Sequence, residues 1–198
     1  MSIDIFEIIM TKQDGRNLRS VNSQKLIVDA CIKLFKAGNL EPTAQQVADE
    51  SGVGIRTVFR QFDEMENLFK SVDAVLSKDY DFEVSYDPSS SFDARLQSAI
   101  SHMNAGYEKH KLIMFMTISK MWKYEFLRKN YLMYQDLIKS KTEEVVPEVL
   151  NFDAESRHLF HASLSFAIWT RLQGQKLNNG QINKAMFRQC ILITNDNK

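Results

Sequence analysis

From Gln24 the hydrophobic positions settle into a helical period, with Leu26, Ile27, Ala30, Cys31, Leu34 and Phe35 recurring at the spacing of one helix face. Asn22 or Ser23 can cap the start of that helix, and Gly38 can end it in a left-handed conformation. A short helix is expected over 43–50. Thr43 and Gln46 stand there in the capping-box relation, in which hydroxyl and amide each serve a free backbone N–H. Ser51-Gly52-Val53 breaks the pattern, because Gly52 lacks the Cβ that disfavours a positive φ. A second short helix is expected over 54–62. Asp63, with Glu66 as reciprocal partner, is expected to cap the next helix, which runs through Leu68, Phe69, Val72, Val75 and Leu76.

Before Gln24 no period is sustained, and residues 1–21 read as a flexible arm, with a helical turn near its start and Lys12, Arg16 and Arg19 around Gly15. Asp87-Pro88 and neighbouring serines mark a linker over 85–91. Beyond it, longer helical stretches are expected at 92–108, 111–141, 153–175 and 180–194, with breaks at Pro147 and Asn178-Asn179-Gly180. The expected organisation is an arm (1–21), a small helical unit (22–80) and a larger helical unit (81–198). The fold class is all-α.

Composition sharpens this picture without changing it. Seven glycines and three prolines in 198 residues are too few for a fold with many tight turns. Formal net charge is zero, so contact with nucleic acid has to come from a local surface. Such a surface is available, because residues 12–62 hold eight basic and five acidic side chains, about +3. Cys31 and Cys190 stand far apart in apolar patterns, which argues against a disulfide framework and for a reducing cytoplasm. Residues 1–10 are too short and too acidic for a signal peptide, and no run approaches the roughly 18 apolar residues of a membrane span.

The run 43–62 has the grammar of a helix-turn-helix. Val47 and Ala48 face inward, Gly52 turns the chain, Val53 plugs the core, and Val58 with Phe62 anchors the second helix. Ile55, Arg56, Thr57, Phe59, Arg60 and Gln61 are left for a partner, with Thr43 and Gln45 at the preceding helix. A helix of this kind offers its side chains to base edges in the major groove. Arg56 suits guanine, Arg60, Thr43 and Gln45 suit phosphates or nearby edges, and Phe59 suits sugar or a thymine methyl. Arg16 and Arg19 can reach the backbone or minor groove. For any one of these side chains, an ordinary solvated helix face is the competing account.

Residues 24–69 resemble the DNA-binding domain of the TetR family of transcriptional regulators. The features that carry the resemblance are Leu34-Phe35-Lys36-Ala37-Gly38, Thr43, Val47-Ala48, Gly52-Val53 and Thr57-Val58-Phe59-Arg60-Gln61-Phe62. Ser165-Phe166-Ala167-Ile168-Trp169-Thr170-Arg171-Leu172 resembles that family's penultimate helix more weakly. The chain departs from the family pattern at Phe59, where Tyr is common, at Met65, where Lys is usual, and at Gly54, where Ser or Thr often caps. Each departure lowers contact with the phosphate backbone rather than readout of bases.

The resemblance implies a cytoplasmic homodimeric regulator, a repressor in the first reading, that binds double-stranded operator DNA and is released by a small apolar effector. It places effector binding and dimerisation in the larger unit, with the helices over 153–175 and 180–194 pairing across a two-fold axis. Met103, Tyr107, Met114, Met121, Trp122, Phe126, Phe166 and Trp169 are the candidate cavity lining, since Met and aromatic side chains suit irregular apolar ligands. The same residues fit an ordinary core. His158 and His161 share a helix face but lack an identifiable third metal ligand, so no metal and no cofactor is expected. Lys120, Lys123, Arg128 and Lys129 read as the wet side of a helix. Two alternatives stay open: a DNA-binding regulator without a small-molecule site, controlled by a protein partner, and an enzyme. No Gly-rich phosphate loop, nucleophile motif or metal triad supports the enzyme.

Overall fold

A computed structural model describes the backbone of residues 5–197 and the side chains of 17–197, so the readings that rest on the side chains of Lys12 and Arg16 lie outside the described residues. Among the described residues the chain forms nine α-helices and two 3-10 turns, with no strand. It divides into two compact units, Met1–Asp79 and Tyr80–Lys198.

The first unit holds α1 (Ile5–Lys36), α2 (Ala44–Ser51), α3 (Ile55–Phe62), α4 (Met65–Leu76) and a 3-10 turn at Ser77–Asp79. Helix α1 corrects the arm expected over 1–21, because the chain is already helical at Ile5. No proline interrupts it, and Gly15 alone costs only about 1 kcal/mol against alanine. An absent hydrophobic period removes a packing face, not the helix. Ser23 is therefore interior rather than a cap, its hydroxyl donating to the Arg19 carbonyl at 2.8 Å. Leu26 is exposed, and Val28 is buried in its stead.

Gly38, at φ +88°, closes α1. Its N–H reaches the Phe35 carbonyl at 2.9 Å while that of Asn39 reaches Leu34 at 3.0 Å, the paired bonds of a Schellman ending. Thr43 and Gln46 form the capping box of α2, with Thr43 N–H donating to Gln46 Oε1 at 2.9 Å and Gln46 N–H to Thr43 Oγ1 at 3.2 Å. Gly52 turns the chain at φ +71°. Asp63 does not cap α4. It takes φ +58° to end α3, its N–H donating back to the Phe59 carbonyl at 2.7 Å, and Glu64 stands at the head of α4 without a side-chain cap. Ile27, Cys31, Phe35, Val47, Val58, Leu68 and Val72 fill the core, with the Phe35 and Phe69 rings 5.9 Å apart. Helix α3 packs on α1, α2 and α4 through Val58 and Phe62.

The second unit opens with an irregular segment, 80–91, followed by α5 (Phe92–Lys120), α6 (Glu125–Val145), a 3-10 turn at Pro147–Asn151, α7 (Ala154–Ser163), α8 (Phe166–Gly174) and α9 (Asn179–Asn195). The break expected near 108–111 is absent. Lys109-His110-Lys111 is polar but contains no breaker, and Tyr107, Ile113 and Met116 keep burying one face through it. The chain turns instead at 121–124. The single stretch expected over 153–175 is two helices, split where Ser165 caps α8 by accepting from Ile168 N–H. Lys120 is buried, so it does not belong to the wet cluster proposed for it.

Segment 80–91 is fastened to α5 and α6. His102 Nε2 donates to the Asp81 carbonyl at 3.0 Å, Lys141 pairs with Glu83 at 2.8 Å, and Tyr86 OH donates to the Glu144 carbonyl at 3.2 Å. The core of this unit gathers Leu96, Ile100, Met103, Tyr107, Val149, Phe160, Phe166, Trp169, Ile182 and Met186. The apolar positions of α7 to α9 are mostly spent here, and Leu159, Ile168 and Leu192 are left exposed.

Candidate functional site

Helix α3 is eight residues long and sharply two-sided. Positions 58 and 62 point inward, 57 and 61 lie at the boundary, and 55, 56, 59 and 60 fall together on the outer face. Ile55, Arg56, Phe59 and Arg60 are accordingly exposed, and Phe59 keeps 47% of its surface open. Thr57 and Gln61 are half-buried, and Gln61 Oε1 accepts from Ser20 Oγ at 3.1 Å. Thr43 and Gln45 are exposed on α2, the first occupied as the cap and the second donating to Asp49 Oδ1 at 2.7 Å. All eight predicted residues thus lie on α2 and α3 or at their caps, but only four form one open face.

The outer face carries two positive charges and no negative one. Helix α3 contains no acidic residue, and among the described residues Arg56 and Arg60 make no hydrogen bond or ion pair. Two like charges one turn apart repel by a few tenths of a kcal/mol. Arg56 also sits in the first turn, where the helix dipole disfavours a cation. Both features work against the isolated helix, and a bound polyanion reverses both. Lys33, by contrast, is already paired with Glu50 across α1 and α2.

Neither protein-family models nor curated proteins searched with this sequence give a match.

In the second unit the eight candidate lining residues do not gather around one cavity. Met103, Tyr107, Phe166 and Trp169 are buried in the core, with Phe166 and Trp169 stacked at 5.5 Å, and Met114 packs against them. Met121 and Phe126 are half-buried, and Trp122 is 82% exposed in the turn after α5. A recess of about 210 Å³ lies beside this core, and Tyr107 is the one candidate that lines it. Its lining adds the apolar Ile138, Ala162 and Leu164 and the polar Gln135, Asp136, Lys139, Thr142, His161 and Ser165. Sequence reasoning missed these polar residues, although Gln135, Lys139 and Thr142 make a readable polar stripe at i, i+4 and i+7 of α6.

Most polar groups of the recess are satisfied within the unit. Tyr107 OH donates to the Leu164 carbonyl at 2.8 Å, and Thr142 Oγ1 to the Ile138 carbonyl at 2.7 Å. Glu143 takes Arg157 Nη2 at 2.7 Å and His161 Nε2 at 2.8 Å on one oxygen. Burial disfavours ionisation of Glu143, but those two partners outweigh it and hold its carboxyl below the usual range. Burial drives His161 below its usual value against the pull of Glu143, with Lys139 and Arg157 adding to the depression. His161 is therefore neutral at pH 7, and the proton lies on Nε2, since a carboxylate can only accept. Gln135, Asp136 and Lys139 make no hydrogen bond or ion pair among the described residues. No group of three metal-ligating side chains occurs among the described residues either, and His158 is exposed.

Proposed function

We propose that this chain is a sequence-specific DNA-binding transcriptional regulator of the TetR type, with α2 and α3 as its helix-turn-helix. The observation that carries the reading is the outer face of α3, where Arg56, Phe59 and Arg60 stand exposed and both guanidinium groups are free of protein partners among the described residues. In this reading α3 lies in the major groove, Arg56 forks onto a guanine edge, Phe59 packs on sugar or a thymine methyl, and Arg60 meets phosphate.

One eight-residue helix contacts too few bases for tight recognition, so the working form is a homodimer on an approximately palindromic site. Exposed Leu159, Ile168 and Leu192 on α7, α8 and α9 are the apolar side chains available to such an interface. Among the described residues no helix is long and apolar enough to cross a membrane. Titrating fluorescent genomic fragments tests the reading. It requires salt-sensitive, sequence-selective binding at or below micromolar protein, and uniform binding or none contradicts it.

Release from DNA follows when a small molecule binds the second unit and changes the spacing of the two recognition helices. A second reading, control by a protein partner, is favoured by one observation: Met103, Tyr107, Phe166 and Trp169 fill the interior where an apolar effector was expected. The recess beside that core keeps the small-molecule reading open.

A further inference from the structure

The recess also limits what its ligand can be. An engineered apolar cavity of roughly 150 Å³ holds a benzene ring. The recess here, at about 210 Å³, has room for one such ring and a small polar group, or for a short chain of similar size. The apolar part of the lining suits the body of that molecule, with Tyr107, Ile138, Ala162 and Leu164 supplying it.

The polar lining decides the ligand's polar group. Glu143, behind His161, is already matched by Arg157 and His161. Two ionised side chains of the lining remain without a partner among the described residues, Asp136 and Lys139. They differ in setting. Asp136 is exposed and keeps its hydration, whereas Lys139 is half-buried. A charge with less water around it gains more from a counter-ion, because the interaction is screened less. Asp136 and Lys139 are also three apart on α6, yet do not pair. Of these two unpaired groups Lys139 is the less exposed, and Gln135, one turn before it, adds an amide donor.

We propose that the recess binds a small monocarboxylate, with its apolar body on Tyr107 and Leu164 and its carboxylate on Lys139 and Gln135. The inference rests on the small-molecule reading above and replaces its apolar effector with an organic acid. His161 stays neutral and keeps its bond to Glu143, so it lines the recess without taking the ligand's charge.

The test is calorimetric titration of the full chain, free of DNA, with benzoate, phenylacetate and hexanoate against their neutral amides. At least one acid binds at one per chain and ten-fold or more tighter than its amide. Lys139→Met removes that preference, Lys139→Arg retains it, and Lys129→Met, on the same helix but outside the recess, leaves it unchanged. Equal binding of acids and amides, no acid binding at millimolar concentration, or a preference that survives Lys139→Met overturns the proposal. The acid–amide comparison uses the unaltered protein, so it decides the matter even if a variant misfolds. Because DNA is absent, acid binding without any DNA recognition leaves this inference standing and removes the regulator reading alone.

Discussion

The arginines of the two units are used in opposite ways. In the larger unit Arg95 donates to the Ser90 carbonyl at 3.2 Å and the Val145 carbonyl at 2.6 Å, and pairs with Glu148. Arg157 locks onto Glu143. These guanidinium groups are partly buried, and their forks are spent on tying α5 and α7 to the end of α6. On α3 the forks of Arg56 and Arg60 reach nothing among the described residues. Lack of a partner is not sufficient by itself, since Arg171 and Arg188 are also exposed and unpaired, but those two stand on separate helices. What sets α3 apart is two such groups on one face, with an exposed aromatic between them and no acid on the helix. A bonded arginine reports on the fold, and in the proposed reading a clustered free pair reports on a partner.

The strongest break of this contrast comes from the two sides of α3. Phe62→Ala empties a buried site and is expected to cost about 3–5 kcal/mol of stability in urea denaturation. Phe59→Ala, on the outer face, is expected to change stability by less than about 0.5 kcal/mol. Comparable losses at both positions contradict the two-sided packing of the helix.

Next in size are the arginines themselves. Arg56→Ala is expected to weaken DNA binding by about 1–3 kcal/mol without changing the denaturation midpoint. Arg95→Ala is expected to do the reverse, costing about 1–3 kcal/mol of stability as two carbonyls and a carboxylate lose a charged donor. An effect of Arg56→Ala on stability instead of binding makes it a structural residue like Arg95. Smaller still, Thr43→Ala is expected to cost about 1 kcal/mol through the lost cap of α2, read by thermal unfolding.

The acid side of the pH profile separates the units further. Both shifted groups of the Glu143 cluster have folded pKa values below their usual ones, so each contributes stability at high pH that is lost as pH falls. For His161 the loss starts below its ordinary value of 6.5, where the unfolded chain takes up the proton first. For Glu143 it starts below 4.5. Urea midpoints measured from pH 7 down to 3 are expected to fall in two stages, and Glu143→Gln is expected to shrink the lower one without abolishing it, since Glu148, Asp87 and Asp153 are also held below their usual values.

Local chemistry was legible in the sequence, and tertiary chemistry was not. The capping box at Thr43 and Gln46, the turn at Gly52 and the inward pair Val58 and Phe62 are each set within a few residues, so the outer face of α3 follows from spacing alone. Asp63 was misread because the signal for a cap and the signal for a chain reversal use the same residue type. The continuity of α5 was hidden by a polar run that leaves one face apolar, and the length of α1 by a stretch before Gln24 whose sequence sustains no hydrophobic period. The recess draws on α5, α6, α7 and the corner before α8, and no single stretch carries its outline. Met and aromatic content pointed to a cavity, but Met103, Tyr107, Phe166 and Trp169 pack in the core while Trp122 stands exposed.

Selection from a library of randomised duplexes, run in parallel with the unaltered chain and an Arg56→Ala/Arg60→Ala variant, addresses the outer face of α3 most directly. The account predicts that the unaltered chain enriches a two-fold-related sequence with half-sites roughly 34–36 Å apart or somewhat more, and that the variant enriches nothing. The same enriched sequence recovered by both proteins, or no enrichment by the unaltered chain, contradicts it.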